Sequence, residues 1–427
     1  MTETLEHVTQ TSNAARGGGA RLGPRLAFAL QVSMLVLFLA ASSAPTPLYA
    51  VYQAEWGFSP VTVTVIFGVY ALAVLIALLT VGSLSDHIGR RPVLIAAIAL
   101  QAVALVVFAT ADGVPALLAA RVAQGLSTGA AVGALGAGLL DLNRTRGTIA
   151  NGVGSIAGTA LGAIGSGLLV QFLPAPTHLI YLTLLGILVL QGIGVTLMPE
   201  SSARAAGALA SLRPQLGLPR SARRPLLLAV PALVAVWSLA GFYGSLGPSL
   251  VRGVVGSNAI VLGGLGLFVL AASGAVTVLF VHAAEPRAVV LIGTTALIGG
   301  VGLTLLAITA TSTVAFFVGT AIAGVGFGAT FQGSLRSVLP LAAAHQRAGV
   351  LSTIYVICYL AMGLPAVVAG FVVVDGVDVL DTARGYGVVV MALAALALVD
   401  ALARREAPAA SAEALPMERD VRCCELV

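Results

Sequence analysis

Twelve apolar stretches, each near the roughly 20 residues a helix needs to cross a bilayer, recur from Leu26 almost to Ala403 of this chain. Short breaks carrying Arg, Pro or Asn separate them. The predicted spans are 26–49, 60–82, 92–110, 115–140, 149–172, 178–198, 225–247, 258–281, 288–309, 313–339, 349–372 and 385–403. Only 9% of residues are charged, against roughly a quarter in a soluble domain. The expectation is therefore an all-α membrane protein.

Arg16, Arg21 and Arg25 precede the first run and Ala41-Ser42-Ser43-Ala44 lies within it, which makes a cleaved signal peptide the rival reading. The run to Tyr49 is long for a signal core, and its removal would leave an odd number of spans. Twelve spans put both termini on one side, and positive residues in short loops mark the cytoplasm. That topology leaves Arg252 and Arg384 outside and Arg121 within the membrane, with every other Arg on the inner side. The net charge of +5 is thus a topology signal, and no nucleic-acid partner is expected. Cys358, Cys423 and Cys424 form no disulfide or metal framework, and no cofactor is expected.

The chain divides into tails at 1–24 and 404–427, read as disordered, two six-helix bundles at 25–200 and 224–403, and a cytoplasmic linker at 201–223. An offset of 201 superposes Pro47 on Pro248, Gly125 on Gly326, Arg146 on Arg347 and Gly162 on Gly363. Parallel repeats of six spans are the construction of transporters that rock two halves about a central site.

Between spans two and three stands Gly82-Ser83-Leu84-Ser85-Asp86-His87-Ile88-Gly89-Arg90-Arg91-Pro92. This segment resembles the signature loop of the major facilitator superfamily: a Gly, an Asp four residues on, then Gly-Arg-Arg/Lys. The resemblance implies two pseudo-symmetric six-helix bundles and a conformational latch of Gly82, Asp86, Gly89, Arg90, Arg91 and Asp141. In it Asp86 would cap span eleven near Ala348-Gly349, and Arg90 would pair with Asp141 at the end of span four. Arg121-Val122-Ala123-Gln124-Gly125 in span four looks like the family's Arg-x-x-Gln-Gly signature. It implies that Arg121, with Gln124, serves proton transfer or attracts anionic substrate groups; the alternative is an Arg satisfied by neighbouring carbonyls.

Span five carries Gly154, Gly158, Gly162, Gly165 and Gly167, resembling the glycine signature of the superfamily's antiporters. Ala163 departs from it, since those antiporters have Pro after the third glycine; a packing face is the competing reading. Ala44-Pro45-Thr46-Pro47-Leu48 is close to a Pro-rich pattern of twelve-span drug exporters. The family fold would line the cavity with spans one, four, seven and ten. Candidate cavity residues there are Gln31, Ser42, Ser43, Thr128, Trp237, Tyr243, Phe327, Phe331 and Gln332, beside Arg121 and Gln124. So apolar a lining suits a hydrophobic or weakly acidic small molecule better than a sugar.

No carboxylate falls at mid-membrane, so proton coupling would have to use Glu55, Asp86, Asp141, Arg121 or a His. Nothing resembles a nucleotide loop, a zinc site or a nucleophile triad, and no enzyme is expected. The expectation is a monomeric, multi-pass transporter of a bacterial-type inner membrane with both termini cytoplasmic. It would export a small hydrophobic compound, a drug or secondary metabolite, in exchange for protons. An importer of a small anionic metabolite and a non-transporting receptor of the same fold are the alternatives.

Overall fold

A computed structural model describes residues 22–202, 205–214, 216–257, 259–343 and 346–403. Most of the N-terminal tail, the C-terminal tail and Arg204 lie outside them. Among the described residues there are twelve helices long and apolar enough to cross a membrane and no strand. Spans one to six are Pro24–Trp56, Pro60–Thr80, Arg90–Ala109, Val114–Leu142, Arg144–Phe172 and Pro176–Leu197. Spans seven to twelve are Arg220–Ser245, Ile260–Val281, Pro286–Thr309, Thr313–Leu341, Arg347–Val374 and Val379–Ala403.

Each predicted stretch corresponds to one of these helices, and the boundary differences have local causes. Span one reaches Trp56 because Pro45 sits at the start of a second helical segment, Pro45–Trp56, joined to Pro24–Ser43 at Ala44. Proline is well placed there, its missing N–H being one that a helix start leaves unbonded. Span five starts at Arg144 because the Asn143 side chain accepts a hydrogen bond from the Arg146 amide at 2.9 Å, an N-cap. The second half repeats the device of span one: after Leu246 a short helix, Gly247–Val255, continues span seven. Gly57 and Gly256 close the two extensions at φ 67°, in the left-handed region that glycine enters without steric cost.

The internal repeat is visible in the packing. In the first bundle span four packs on spans two and three, span five on span one, and span six on span three. In the second, span ten packs on eight and nine, eleven on seven, and twelve on nine. Leu190, Phe280, Leu306 and Leu396 stand exposed on the periphery, as expected where lipid is the solvent. The two bundles meet through spans five and eight and through spans two and eleven. Apart from Pro45–Trp56 against the end of span seven and Gly247–Val255, spans one and four share no substantial interface with seven and ten, which leaves a crevice along the middle.

Among the described residues, the hydrogen bonds that join the two bundles lie at the end away from the arginine-rich loops. There the Thr46 hydroxyl donates to the Gly244 carbonyl at 3.1 Å and the Ile260 amide to Gln171 Oε1 at 2.8 Å. A Cβ at Gly370 would lie 3.1 Å from the Thr64 Cβ, and one at Gly244 2.7 Å from the Phe67 ring. The crevice is thus closed at this far end.

Candidate functional site

A proline has no N–H, so it frees the carbonyl four residues earlier in a helix. Pro45 frees that of Ala41, which accepts from Gln124 Nε2 at 2.9 Å. Gln124 Oε1 in turn accepts from Arg121 Nη1 at 2.6 Å, and the same nitrogen reaches the Ser42 carbonyl at 2.8 Å. Arg121 Nε and Nη2 both donate to the Tyr49 hydroxyl. The guanidinium is stacked among Tyr70, Tyr49 and Phe108, with ring centroids 5.1, 5.6 and 5.7 Å from its carbon. Arg121 is 0% exposed, and among the described residues no carboxylate pairs with it. Its charge is met by neutral acceptors and ring faces, which attract a cation through the aromatic quadrupole. Pro365 acts likewise in the second bundle: the Ala361 carbonyl accepts from the Ser238 hydroxyl at 3.1 Å.

At the arginine-rich end Arg90 is buried and gathers the signature loop. Its Nη1 donates to Ser85 Oγ at 2.7 Å and to Asp86, and its Nε donates to Asp141 Oδ2 at 3.2 Å. Gly82 lies against Gly133 of span four, 3.2 Å from where that residue's Cβ would be. Gly89 has φ 100°, and a Cβ there would meet Glu200 Oε2 at 2.6 Å. Glu200 follows span six and was not apparent as a site residue. Its carboxylate accepts from the Arg90 amide at 2.7 Å and the Arg91 amide at 3.0 Å, at the positive N-terminus of span three. Arg91 itself donates to the Thr196 carbonyl at 2.5 Å. The one available clue to Glu200 was an acid directly after a span in an otherwise arginine-rich stretch.

Asp86 makes no hydrogen bond to span eleven in this structure. Gly217 of the linker instead covers that helix start, its nitrogen 2.9 Å from a Cβ built on Gly349. The linker is also tied to the signature loop, the Ser83 hydroxyl donating to the Ser211 carbonyl at 3.0 Å.

The glycines of span five serve different neighbours. Gly154, Gly158 and Gly162 lie against Leu35, the Val36 carbonyl and the Ala40 carbonyl of span one. Gly167 faces Val261 of span eight, whereas Gly165 has nothing within 4 Å. The candidate cavity residues also separate. Gln31 is buried inside the first bundle, donating to Met198 Sδ at 3.3 Å, and Ser43 bonds to the Thr159 carbonyl at 2.8 Å. The Ser42 hydroxyl is turned back to the Leu39 carbonyl at 2.7 Å. Tyr243 is inside the second bundle, its hydroxyl 2.8 Å from Thr320 Oγ1, and Phe327 packs toward Gly274 of span eight. Gln332 reaches toward Gly152 of span five, across the bundle boundary. Thr128 is buried beside Tyr70, Trp237 Nε1 is buried without a partner, and Phe331 stacks edge-on against Trp237.

Two repeated six-helix bundles around a crevice define the architecture of an alternating-access membrane transporter. A family model, Major Facilitator Superfamily, matches residues 32–367, and the chain belongs to that family. It is a multi-pass membrane protein. A comparison with curated proteins finds no match. Among solved structures, a mutant of the nucleoside transporter NupG is similar at a TM-score of 0.66 and 12% identity, over 89% of this chain and 98% of that one. The human organic anion transporter MFSD10 (TETRAN) is similar at 0.62 and 21% identity, over 90% and 99%. At those identities the likeness is one of fold.

Proposed function

We propose that this chain is a monomeric secondary active transporter that exports a small, largely hydrophobic compound in exchange for protons. The observation that carries the reading is the crevice between the bundles, closed at the far end by Thr46–Gly244 and Gln171–Ile260. With both termini cytoplasmic, the arginine-rich end is the inner one, and this conformation faces inward. Rocking residues 25–200 against 224–403 would open the far end. Asp86 would then leave Arg90 for the start of span eleven and displace Gly217, with Asp141 retaining Arg90.

The second reading, import of a small anionic metabolite, draws on Arg121. A buried cation without a carboxylate makes its surroundings positive, and the structurally similar MFSD10 is an organic anion transporter. The two readings separate in one experiment. Expressing cells are screened for growth against a panel of toxic compounds, and accumulation of a labelled hit is measured with and without a protonophore. Export lowers accumulation and the protonophore abolishes the difference; raised accumulation overturns export, and indifference to the protonophore overturns proton coupling.

A further inference from the structure

Trp237 stands where three helices meet. It belongs to span seven, yet its ring meets Phe331 of span ten at 5.4 Å and Tyr359 of span eleven at 5.2 Å. Spans ten and eleven share little backbone contact of their own and belong to one apolar cluster through Val338, Ile354 and Cys358, and the indole stands between them. Trp237, Phe331, Tyr355 and Tyr359 are only half-buried, although all four lie well inside their helices. Phe67 and Ala71 of span two, with Met362, pack against Trp237 and Tyr359 and form the floor toward the sealed far end.

The polar inventory around Trp237 is short. The Trp237 N–H is shielded from water and has no acceptor, and an unmade hydrogen bond on a buried donor is costly. Across the crevice, by contrast, every nitrogen of Arg121 and both ends of Gln124 are already engaged. A ligand entering here would meet the half-buried ring faces and edges, while the indole donor itself is closed off. Aromatic side chains set at an angle to one another receive a flat ring by edge-to-face or offset stacking. A polyol would leave most of its hydroxyls unbonded.

Resting on the transport reading above, we infer that the transported compound carries a planar aromatic ring. The ring lies between spans ten and eleven against the half-buried faces of Trp237, Phe331 and Tyr359.

The chain has 2 Trp, and the other, Trp56, is stacked on Tyr52 at the far end of span one. Trp56→Phe therefore leaves Trp237 as the only indole, and its emission reports this site directly. Purified full-length Trp56→Phe protein is titrated with para-toluate and with para-methylcyclohexanecarboxylate, which has the same charge and similar size but a saturated ring. The expected result is a saturable change in Trp237 emission with para-toluate, at an affinity about tenfold or more above that of the saturated acid. Adding Phe331→Leu or Tyr359→Leu should abolish that preference without lowering the melting temperature. No saturable change with para-toluate, or equal affinity for the two acids, overturns the inference. Proteoliposome flux of both acids separates it from the transport reading: equal flux of the saturated acid sinks the aromatic assignment alone. Para-toluate that binds but does not move counts against transport and leaves the binding assignment standing.

Discussion

The hydroxyl of Tyr49 accepts hydrogen bonds from both Nε and Nη2 of Arg121, so the Pro45–Trp56 segment of span one takes two of the four hydrogen bonds of a buried guanidinium on span four. Tyr49→Phe removes both bonds while keeping the ring. Hydrogen bonds to charged groups contribute about 1.5–3 kcal/mol each, so the variant should lose at least about 2 kcal/mol and melt measurably lower in detergent. Arg121→Lys keeps the charge but has no planar fork to reach Tyr49, the Ser42 carbonyl and Gln124 together. We expect it to insert and to lose transport. A Tyr49→Phe protein as stable as the parent would show that Arg121 is held by other means.

Glu200 receives the first two amides of span three, those of Arg90 and Arg91. An acidic cap at a helix N-terminus is worth about 1 kcal/mol. Glu200→Gln should therefore lower the melting temperature, and raising the ionic strength should narrow its difference from the parent as screening weakens the charge term. Glu200→Ala should cost more, since it leaves both amides without an acceptor. A melting temperature unchanged in both variants would remove Glu200 from the support of the signature loop.

Asp86 is more than half exposed and bonded to Arg90 on one side only, so losing its charge should perturb folding little. Asp86→Asn is expected to reach the membrane in normal amount and to fail in transport, because under the proposed latch span eleven would lose its acidic partner in the opposite conformation. Immunoblotting of membranes beside a transport assay checks both halves of the statement. Full activity would dismiss the latch.

The number and order of spans were legible because hydropathy at this period leaves a chain little choice, and the repeat at 201 foretold that the second half would repeat the first. The signature loop was legible too, but its reasons were not. That Gly89 must be glycine depends on a positive φ and on the carboxylate of Glu200, which lies 111 residues further on. Cavity residues were the least legible. Gln31, Ser43 and Tyr243 sit on the spans named for the crevice, yet their side chains bond within their own bundles. Tyr359, from a span not named for it, faces Trp237. Which face of an apolar helix turns inward is set by neighbours such as Gly241, which brings spans seven and eleven together at the Met362 carbonyl, and hydropathy carries no trace of it when every face is apolar.

The glycine stripe of span five offers a matched pair. A Cβ at Gly162 would collide with the Ala40 carbonyl oxygen and the Ser43 hydroxyl, whereas one at Gly165 meets nothing within 4 Å. Gly162→Val must separate spans one and five, and overpacking of that kind costs about 1–3 kcal/mol or more. Gly165→Ala should be neutral or slightly stabilising, because alanine favours the helix by up to about 1 kcal/mol. Melting temperatures of the two variants should therefore move apart, and equal values would contradict the close contact at Gly162.

Closure of the far end can be tested by holding it shut. A Cβ at position 370 would lie 3.1 Å from the Thr64 Cβ, so a few tenths of an ångström of adjustment brings the pair within the roughly 3.5–4.5 Å of a disulfide. The double variant Thr64→Cys, Gly370→Cys is made with Cys358, Cys423 and Cys424 replaced, which removes every native thiol. Oxidation should cross-link spans two and eleven, stop transport of the compound identified by the growth screen, and be reversed by a reductant. Each single-cysteine variant should be indifferent to the same treatment. Unimpaired transport by the fully cross-linked protein would mean that substrate leaves without the bundles parting at Thr64 and Gly370, and rocking about the spans would have to be abandoned as the mode of access.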